Sequence, residues 1–301
     1  MGVTRRALLG LGGAGMIVAA TAAGIEEDVL PGRASAYEHL GLNGSPGPTP
    51  TTAPGTLRSG EFISAKRGGE STGYTIAYPP GGQSEGLPVV IALHMLRRDH
   101  ADLFGPRMAL DRFLAEAVAA GVPPFAIAAP DGGNSYWHLR PGGVDAGAMV
   151  TDEFLPLLKR FGLDTRRIGL LGWSMGGYGA LRLGGVLGPE RVVAVSVAAP
   201  AIWTDPEDAS TSGFASTEEY REYEVFGREK QLRDIPVRID CGRGDPFYHS
   251  VKTYAEGLAR SSEPGGAEKV SRFQLGGHNP DFWRKVIADQ LAFVGKYLPR
   301  G

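Results

Sequence analysis

The segment "IGLLGWSMGGYGALRLGGV", residues 168–186, decides how this chain is to be interpreted. An apolar run of strand length ends at Trp173, and an apolar, Gly-rich stretch follows Ser174. Residues 172–176 match the G-x-S-x-G pattern, in which a sharp strand-to-helix turn exposes a serine hydroxyl. That turn is strained, and small flanking residues let it close. The segment therefore predicts a nucleophile elbow.

The same five-residue pattern occurs twice more, around Ser71 and around Ser84. Ser71 lies in the charged turn "KRGGESTG", and Ser84 lies in the loop "PPGGQSEG". Neither serine has a buried strand before it and a helix after it, which an elbow needs. We therefore predict that Ser174 is the nucleophile and that the other two serines belong to Gly-rich loops.

Short apolar runs alternate with longer amphipathic stretches from residue 57 onward. The first two runs, "EFISAKR" and "YTIAYPP", are typical of a hairpin. Further strands are predicted at 87–95, 124–133, 167–174, 191–200, 235–242 and 271–278, and helices at 108–120, 146–161, after 176, at 249–260 and at 280–298. This alternation predicts an α/β fold with a mostly parallel central sheet and helices on both faces. Catalytic groups in such sheets lie beyond the carboxyl ends of the strands.

A serine hydroxyl needs a base, and in this fold class the order along the chain is serine, acid, histidine. Two of the six histidines follow Ser174. His278 lies in "FQLGGHNPDFW", between the last predicted strand and the last helix, where the base is expected. His249 opens a helix and is interpreted as a surface or rim residue. We predict His278 as the base.

The acid should follow a strand that lies between the serine and the histidine. "RIDCGRGDPFY" offers Asp240, inside the predicted strand, and Asp245, in the loop just after it. Position favours Asp245 as the acid and a structural role for Asp240. A glutamate from residues 216–230 stays an alternative, although it would not lie at a strand end.

The negative oxygen of a tetrahedral intermediate needs two backbone N–H donors. Position predicts the N–H of Met175, the residue after the nucleophile, as the first donor. The loop after the "VVIALHM" strand should supply the second, from Met95 or Leu96.

Four segments carry a resemblance to a known family: "GWSMGGYGAL", "APDGGNSYW", "LHMLRRDHADLFG" and "GGHNPDFW". They resemble the elbow, a strand-end segment, the oxyanion loop and the histidine loop of the esterase D group and of the secreted actinobacterial mycolyltransferases. The resemblance covers most of residues 57–301. It implies an α/β-hydrolase fold with a small lid or none, and it favours Leu96 over Met95 as the oxyanion donor.

The chain also departs from this pattern. Met95 stands where these families usually place glycine, and Asp245 is the acid type of esterase D, whereas the mycolyltransferases use glutamate. Both departures favour hydrolysis over acyl transfer. In the mycolyltransferases the arginine beside the donor contacts a sugar acceptor, which makes Arg97 a candidate substrate-binding residue.

Other candidates for the substrate pocket are aromatic. Trp137 and Trp283 lie beside predicted catalytic loops, with core packing as the alternative. Trp203 lies in a polar insert at 201–229, which is either a surface connection or one wall of an acyl pocket. His94 and Asp131 end strands next to the site and are predicted to be hydrogen-bonded structural residues.

Composition excludes several function classes. A formal net charge of −2 gives no reason to expect a nucleic-acid partner. The single cysteine, Cys241, excludes an internal disulfide and a Cys-rich metal site, and it is interpreted as a core residue. No motif predicts a cofactor or a metal.

The N-terminus is predicted to be an export signal. Arg5 and Arg6 resemble the twin-arginine signal, and residues 8–23 are too short and too rich in Gly and Ala to predict a membrane span. Cleavage is expected at the Ala-Ser-Ala of residues 34–36 or at the Ala-Thr-Ala of residues 20–22; an uncleaved anchor is the alternative. We predict three parts: an export signal at 1–36, a Pro/Gly/Thr-rich linker at 37–56, and a catalytic domain at 57–301.

The predicted protein is thus an exported serine carboxylesterase of the secreted space or cell envelope. Its partner is a small-molecule or lipid ester, and a lipid substrate would associate it loosely with the envelope. One alternative is an acyltransferase that passes the acyl group to a sugar or glycerol. Another is a catalytically silent binding module, but such a module should lack one member of the triad.

Overall fold

A computed structural model describes residues 32–82, 85–263 and 265–299. Within them, one sheet of eight strands runs in the order β1-β2-β4-β3-β5-β6-β7-β8. The strands are β1 Leu57–Ser64, β2 Glu70–Ala77, β3 Leu87–Leu93, β4 Ala126–Pro130, β5 Leu163–Trp173, β6 Val192–Ala198, β7 Val237–Gly242 and β8 Lys269–Gln274. β1 and β2 form an antiparallel hairpin, and β2 pairs antiparallel with β4. From β4 to β8 every pairing is parallel.

Helices follow most of the parallel strands. They are α1 Arg33–His39, α2 Leu110–Ala119, α3 Ala146–Met149, α4 Leu155–Arg160, α5 Met175–Leu187, α6 Thr217–Tyr223, α7 Tyr248–Arg260 and α8 Pro280–Tyr297. Every residue of β3, β6 and β7 is buried, because helices pack on both faces of the sheet. The predicted mostly parallel sheet and the opening hairpin are confirmed.

The helix predicted at 146–161 is interrupted. Residues Val150–Phe154 form one π-helical turn between α3 and α4, and the N–H of Leu155 donates to the carbonyl of Val150. Pro156 explains the wider turn, because it has no N–H to donate to the preceding turn and its ring crowds that turn.

The segment predicted as a linker at 37–56 lies partly on the domain. α1 begins before it, the Tyr37 side chain is buried, and the N–H of Gly47 donates to the carbonyl of Asp281 over 2.7 Å. The Pro/Gly/Thr composition does not predict this packing, because the packing depends on contacts with residues far along the chain.

The prediction that Ser71 lies in a loop is wrong: Ser71 is in β2, where it pairs with Ile63 of β1. Two other predictions fall outside the described residues: most of the export signal predicted at 1–36, and the loop serine at 84. In the part of the chain that is described, no helix has both the length and the apolar character needed to cross a membrane.

Candidate active site

Ser174 lies in a strained turn between β5 and α5. Its backbone angles are φ 54° and ψ −122°, a conformation that non-glycine residues rarely adopt. The turn is also crowded: a Cβ on Gly172 would lie 2.0 Å from the carbonyl oxygen of Gly176, and a Cβ on Gly176 would lie 1.9 Å from that of Leu93. Both positions therefore require glycine, which explains the small residues of the motif.

His278 and Asp245 complete a hydrogen-bonded chain with this serine. The Ser174 hydroxyl lies 2.8 Å from Nε2 of His278, and Nδ1 of His278 lies 2.7 Å from Oδ2 of Asp245. A carboxylate only accepts, so Nδ1–H donates to it and Nε2 is left to accept from the hydroxyl. The second oxygen of Asp245 accepts the N–H of Phe247 over 2.8 Å, and its side chain is buried. The arrangement can take a proton from the serine.

The three side chains meet because β5, β7 and β8 end at the same edge of the sheet. The Asp245 loop and the His278 loop are joined by two backbone hydrogen bonds of 2.8 Å, from Arg243 N–H to the Gln274 carbonyl and from Gly244 N–H to the Gly276 carbonyl. After His278, the Asn279 side chain accepts the N–H of Phe282 and caps α8.

Asp240, which the sequence assigns a structural role and not that of the acid, does not contact His278 and instead pairs with Arg238. It accepts two hydrogen bonds from Arg238, at 2.7 and 2.8 Å, and Arg238 also reaches Asp289 over 2.9 Å. Burial raises the pKa of Asp240 to about 6, and the guanidinium of Arg238 opposes that rise. These contacts agree with the structural role predicted for Asp240.

A glutamate from residues 216–230, the alternative for the acid, contacts other residues than His278. Glu219, in the 216–230 region, faces Nε2 of His138 at 3.2 Å and Arg140 at 3.1 Å. His249 is half-buried at the start of α7, and its ring packs against Tyr248.

Leu96 and Met175 present backbone N–H groups near the serine. Met175 is the first residue of α5, so its N–H has no carbonyl within the helix to bond. The loop at Leu96 is shaped by Arg97, which has a positive φ of 58° and donates its N–H to Oδ1 of Asn134 over 2.7 Å. Among the hydrogen bonds of the described residues, neither the Leu96 nor the Met175 N–H is a donor. Both amides are therefore available to a bound ligand.

His94 fixes the base of the same loop. Its Nδ1–H donates to the Met95 carbonyl over 2.8 Å, and its Nε2 accepts the N–H of Gly132 over 2.9 Å. Burial lowers the pKa of His94, which keeps the ring neutral and consistent with this pairing. Asp131 accepts the N–H of His100 over 2.7 Å. Both residues make the structural hydrogen bonds that the sequence predicts.

A cavity of about 420 Å³ opens beside the serine. It is lined by Met95, Leu96, Arg98, Asp102, Arg107, Met108, Tyr136, Ser174, Ala201, Trp203, Ser210, Phe247, His278, Pro280 and Trp283. Trp203 and Trp283 are thus on its wall. Three residues of the insert at 201–229 lie on the cavity wall: Ala201, Trp203 and Ser210.

Two substrate-binding predictions need correction. Trp137 does not line the cavity: it is fully buried, lies edge-on to His94 at 5.1 Å, and packs over Gly179. Arg97 is exposed and does not line the cavity either, whereas its neighbour Arg98 does. The positive φ of Arg97 turns the loop, so that the second arginine faces the site.

Sequence reasoning missed several cavity residues. Tyr136, Phe247 and Met108 line the cavity, and Phe247 lies 5.2 Å from the ring of His278. The place of Phe247, two residues after Asp245, was an available signal. Tyr136 gave none, since its orientation depends on a turn in which it and Trp137 both have positive φ.

Other features of the described residues do not suggest a different centre. A larger groove of about 850 Å³ lies near the amino ends of β3 and β5, from Glu85 to Arg191, far from the serine. The described residues hold no cluster of His, Cys, Asp and Glu that could bind a metal ion. Cys241 is buried in β7, as predicted for a core residue.

Comparison with known proteins agrees with this architecture. The model of the Esterase family, described as "Putative esterase", matches residues 65–294. A ferulic acid esterase structure superposes with a TM-score of 0.68 at 20% identity, over 80% of this chain and 98% of that one. An S-formylglutathione hydrolase from Agrobacterium tumefaciens gives 0.68 at 19% identity, over 84% and 99%. MPT51 (FbpC1) of Mycobacterium tuberculosis gives 0.64 at 12% identity, over 80% and 99%. No curated protein matches the chain.

Proposed function

The chain belongs to the esterase family and is a carboxylic ester hydrolase with the α/β-hydrolase fold, and we propose that Ser174, His278 and Asp245 carry its reaction. The observation that supports this most directly is the continuous hydrogen-bonded chain from the serine hydroxyl through the imidazole to the carboxylate, at 2.8 and 2.7 Å. Nucleophile–base contacts of this length are the geometry of an activated serine.

Acylation follows from this geometry. Nε2 of His278 takes the hydroxyl proton as the oxygen of Ser174 attacks the ester carbonyl, and the carbonyl oxygen becomes negative. The N–H groups of Leu96 and Met175 donate to that oxygen. The intermediate then collapses: the bond to the leaving alcohol breaks, and the imidazolium returns the proton to the alcohol. Asp245 holds the ring in the required tautomer throughout.

Deacylation repeats these steps with water as the nucleophile. His278 takes a proton from water, the resulting oxygen attacks the acyl carbon, and Ser174 leaves with the proton returned. Two observations favour water over a sugar or glycerol acceptor. Arg97, the residue expected to contact a sugar, lies outside the cavity, and the insert at 201–229 contributes only Ala201, Trp203 and Ser210 to the cavity wall, so it is not a large lid. A silent binding module is disfavoured, since no member of the triad is lacking.

The substrate class follows from the cavity. Its wall combines Trp203, Trp283, Tyr136 and Phe247, which suit an apolar acyl group of modest size. We propose ester-linked lipids or small acylated compounds as substrates. The twin-arginine pattern at residues 5–6 supports export to the secreted space or the cell envelope, with the catalytic domain at 57–301.

A partition experiment tests hydrolysis against acyl transfer. The enzyme is given an activated acyl ester and rising trehalose or glycerol, and free acid is compared with acylated acceptor. We expect mostly free acid at every acceptor concentration, with Arg97→Ala changing kcat/KM for small esters less than twofold. Arg98→Ala is the matched comparison, because this neighbour faces the cavity. Acylated product that dominates, saturates with acceptor and falls in Arg97→Ala or in Arg98→Ala would establish the transferase instead.

A further inference from the structure

Residues 33–47, here called the N-terminal brace, lie against the loop that holds Asp245. Nε of Arg33 donates to the carbonyl of Arg243, and its guanidinium lies 4.3 Å from the ring centre of Tyr248. Arg243 and Tyr248 lie on either side of Asp245 in the sequence. Arg33 is buried, although charged side chains are almost never fully buried unless they are paired.

The brace also packs directly on the residue before the acid. A Cβ placed on Gly244 would lie 2.3 Å from Oδ1 of Asn43 and 2.7 Å from Cβ of Tyr37. No side chain fits between the brace and this loop. The backbone that leads into Asp245 is therefore held from the outside by two brace residues.

The same segment reaches the histidine loop. A Cβ on Gly277, the residue before His278, would lie 3.2 Å from Nδ2 of Asn43. Lys285 of α8 donates to the carbonyls of Asn43 and Leu275, at 3.0 and 2.9 Å, and so joins the brace to the start of that loop.

The end of the brace is fixed at the first turns of α8. The N–H of Gly47 donates to the carbonyl of Asp281 over 2.7 Å, and Nε of Arg284 donates to the carbonyl of Gly47 over 2.9 Å. The brace thus touches both loops that carry the acid and the base. None of its residues lines that cavity.

We propose that the brace positions the Asp245 and His278 loops for catalysis, with Arg33 and Asn43 as its positioning residues. The brace lies before residues 65–294, the range that the family model matches. It follows that the mature protein retains α1. Cleavage after Ala36 would cut α1 and remove Arg33, whereas cleavage after Ala22 keeps the brace whole. This inference rests on the proposed roles of Asp245 and His278.

The expected effect is on turnover rather than on binding. The acid and base must hold their geometry to a fraction of an ångström, and small displacements of catalytic groups cost large factors in rate. Loosening the loops from behind should therefore lower kcat about tenfold or more. KM should change less than twofold, because the cavity wall is left intact.

Two chains, one starting at Ala23 and one at Tyr37, provide the first test. Both are assayed for kcat and KM on a small activated ester and for the rate of fluorophosphonate labelling. We expect the shorter chain to lose kcat and labelling rate together, with KM nearly unchanged, and mature protein recovered from outside the cell to begin before Gly32. Equal kcat in the two chains, or a mature N-terminus at Tyr37 with full activity, would overturn the proposal.

Point variants of the full chain provide a second test, which stays valid if the shorter chain fails to fold. Gly244→Ala drives a methyl group into the brace, and we expect a fall in kcat of about tenfold. Arg33→Ala and Asn43→Ala remove brace contacts without adding bulk, and each should lower kcat with KM nearly unchanged. Gly142→Ala is the control, because a Cβ there meets nothing within 4 Å. A Gly244→Ala enzyme with wild-type kcat, or Arg33→Ala and Asn43→Ala enzymes that both keep wild-type kcat, would also overturn the proposal. An intact chain that hydrolyses no ester would instead contradict the proposed function.

Discussion

The stability of this enzyme should depend on the protonation of His138, a fully buried histidine behind the cavity wall. Its ring is stacked between Phe214 at 5.2 Å and Tyr223 at 4.5 Å. Burial lowers its pKa from 6.5 to about 4, with Arg140 adding to the effect and the contact with Glu219 opposing it. Nδ1 of the ring lies 3.0 Å from the Tyr136 carbonyl, and Nε2 lies 3.2 Å from Oε1 of Glu219 and 3.4 Å from Nη1 of Arg140.

The sign and size of the effect follow from this shift. Between pH 6.5 and 4 the unfolded chain binds a proton at His138 and the folded chain does not, so the free energy of unfolding falls as the pH falls through this window. At about 1.4 kcal/mol per unit of pKa, the total loss is about 3 kcal/mol, of which about 2 kcal/mol falls between pH 7 and pH 5.

The measurement is urea unfolding of the wild type and of His138→Gln from pH 7.5 to pH 4.5. Gln keeps a polar side chain but does not titrate, so the wild type should lose about 2 kcal/mol more than the variant between pH 7 and pH 5. Asp240, whose pKa is raised to about 6, titrates in the opposite sense, but it contributes equally to both proteins. Parallel stability curves for the two proteins would refute the reasoning.

Three further predictions concern the acid, the cavity and export. Asp245→Ala should lower kcat by about 10⁴. Asp240→Ala should keep kcat within a few-fold but lose about 3 kcal/mol of stability, because Arg238 loses its buried partner. Steady-state kinetics and urea unfolding measure the two effects, and the reverse pattern would identify Asp240 as the acid. Trp203→Ala, which opens the cavity wall, should shift the kcat/KM ratio of long to short acyl esters about tenfold towards the long ones; an unchanged ratio in a chain-length series would exclude Trp203 from the acyl site. Replacing both Arg5 and Arg6 by Lys should block export, because twin-arginine machinery reads the pair itself; cell fractionation that still finds mature protein outside would rule out that route.

Local patterns were enough to predict the fold and the elements that meet at the site. Residues that are neighbours in sequence determine how long a strand is, how apolar it is and which polar residue follows it. Ser174, Asp245 and His278 could therefore be predicted together as the triad. The acid could be distinguished from Asp240 for the same reason, because one lies within a strand and the other just past its end.

The residues that sequence could not place depend on backbone turns and on distant contacts. Arg97 and Arg98 are adjacent and chemically equal, yet only Arg98 lines the cavity, after a residue with positive φ that the sequence pattern does not announce. Trp137 is buried under α5 because two successive positive φ values turn the chain inward there. The docking of the brace depends on contacts such as that from Arg33 to Arg243, which span about two hundred residues.

The central claim, that Ser174 is the nucleophile, is tested most directly by fluorophosphonate labelling followed by identification of the modified peptide. The label should be found on the peptide that contains Ser174, and Ser174→Ala should abolish both labelling and ester hydrolysis. Ser71→Ala is the matched control: this serine has the same five-residue motif but lies on β2, where its hydroxyl bonds Glu61 over 2.8 Å, and it should label at the wild-type rate. Labelling or hydrolysis that survives in Ser174→Ala, or a label found on Ser71, would contradict the account.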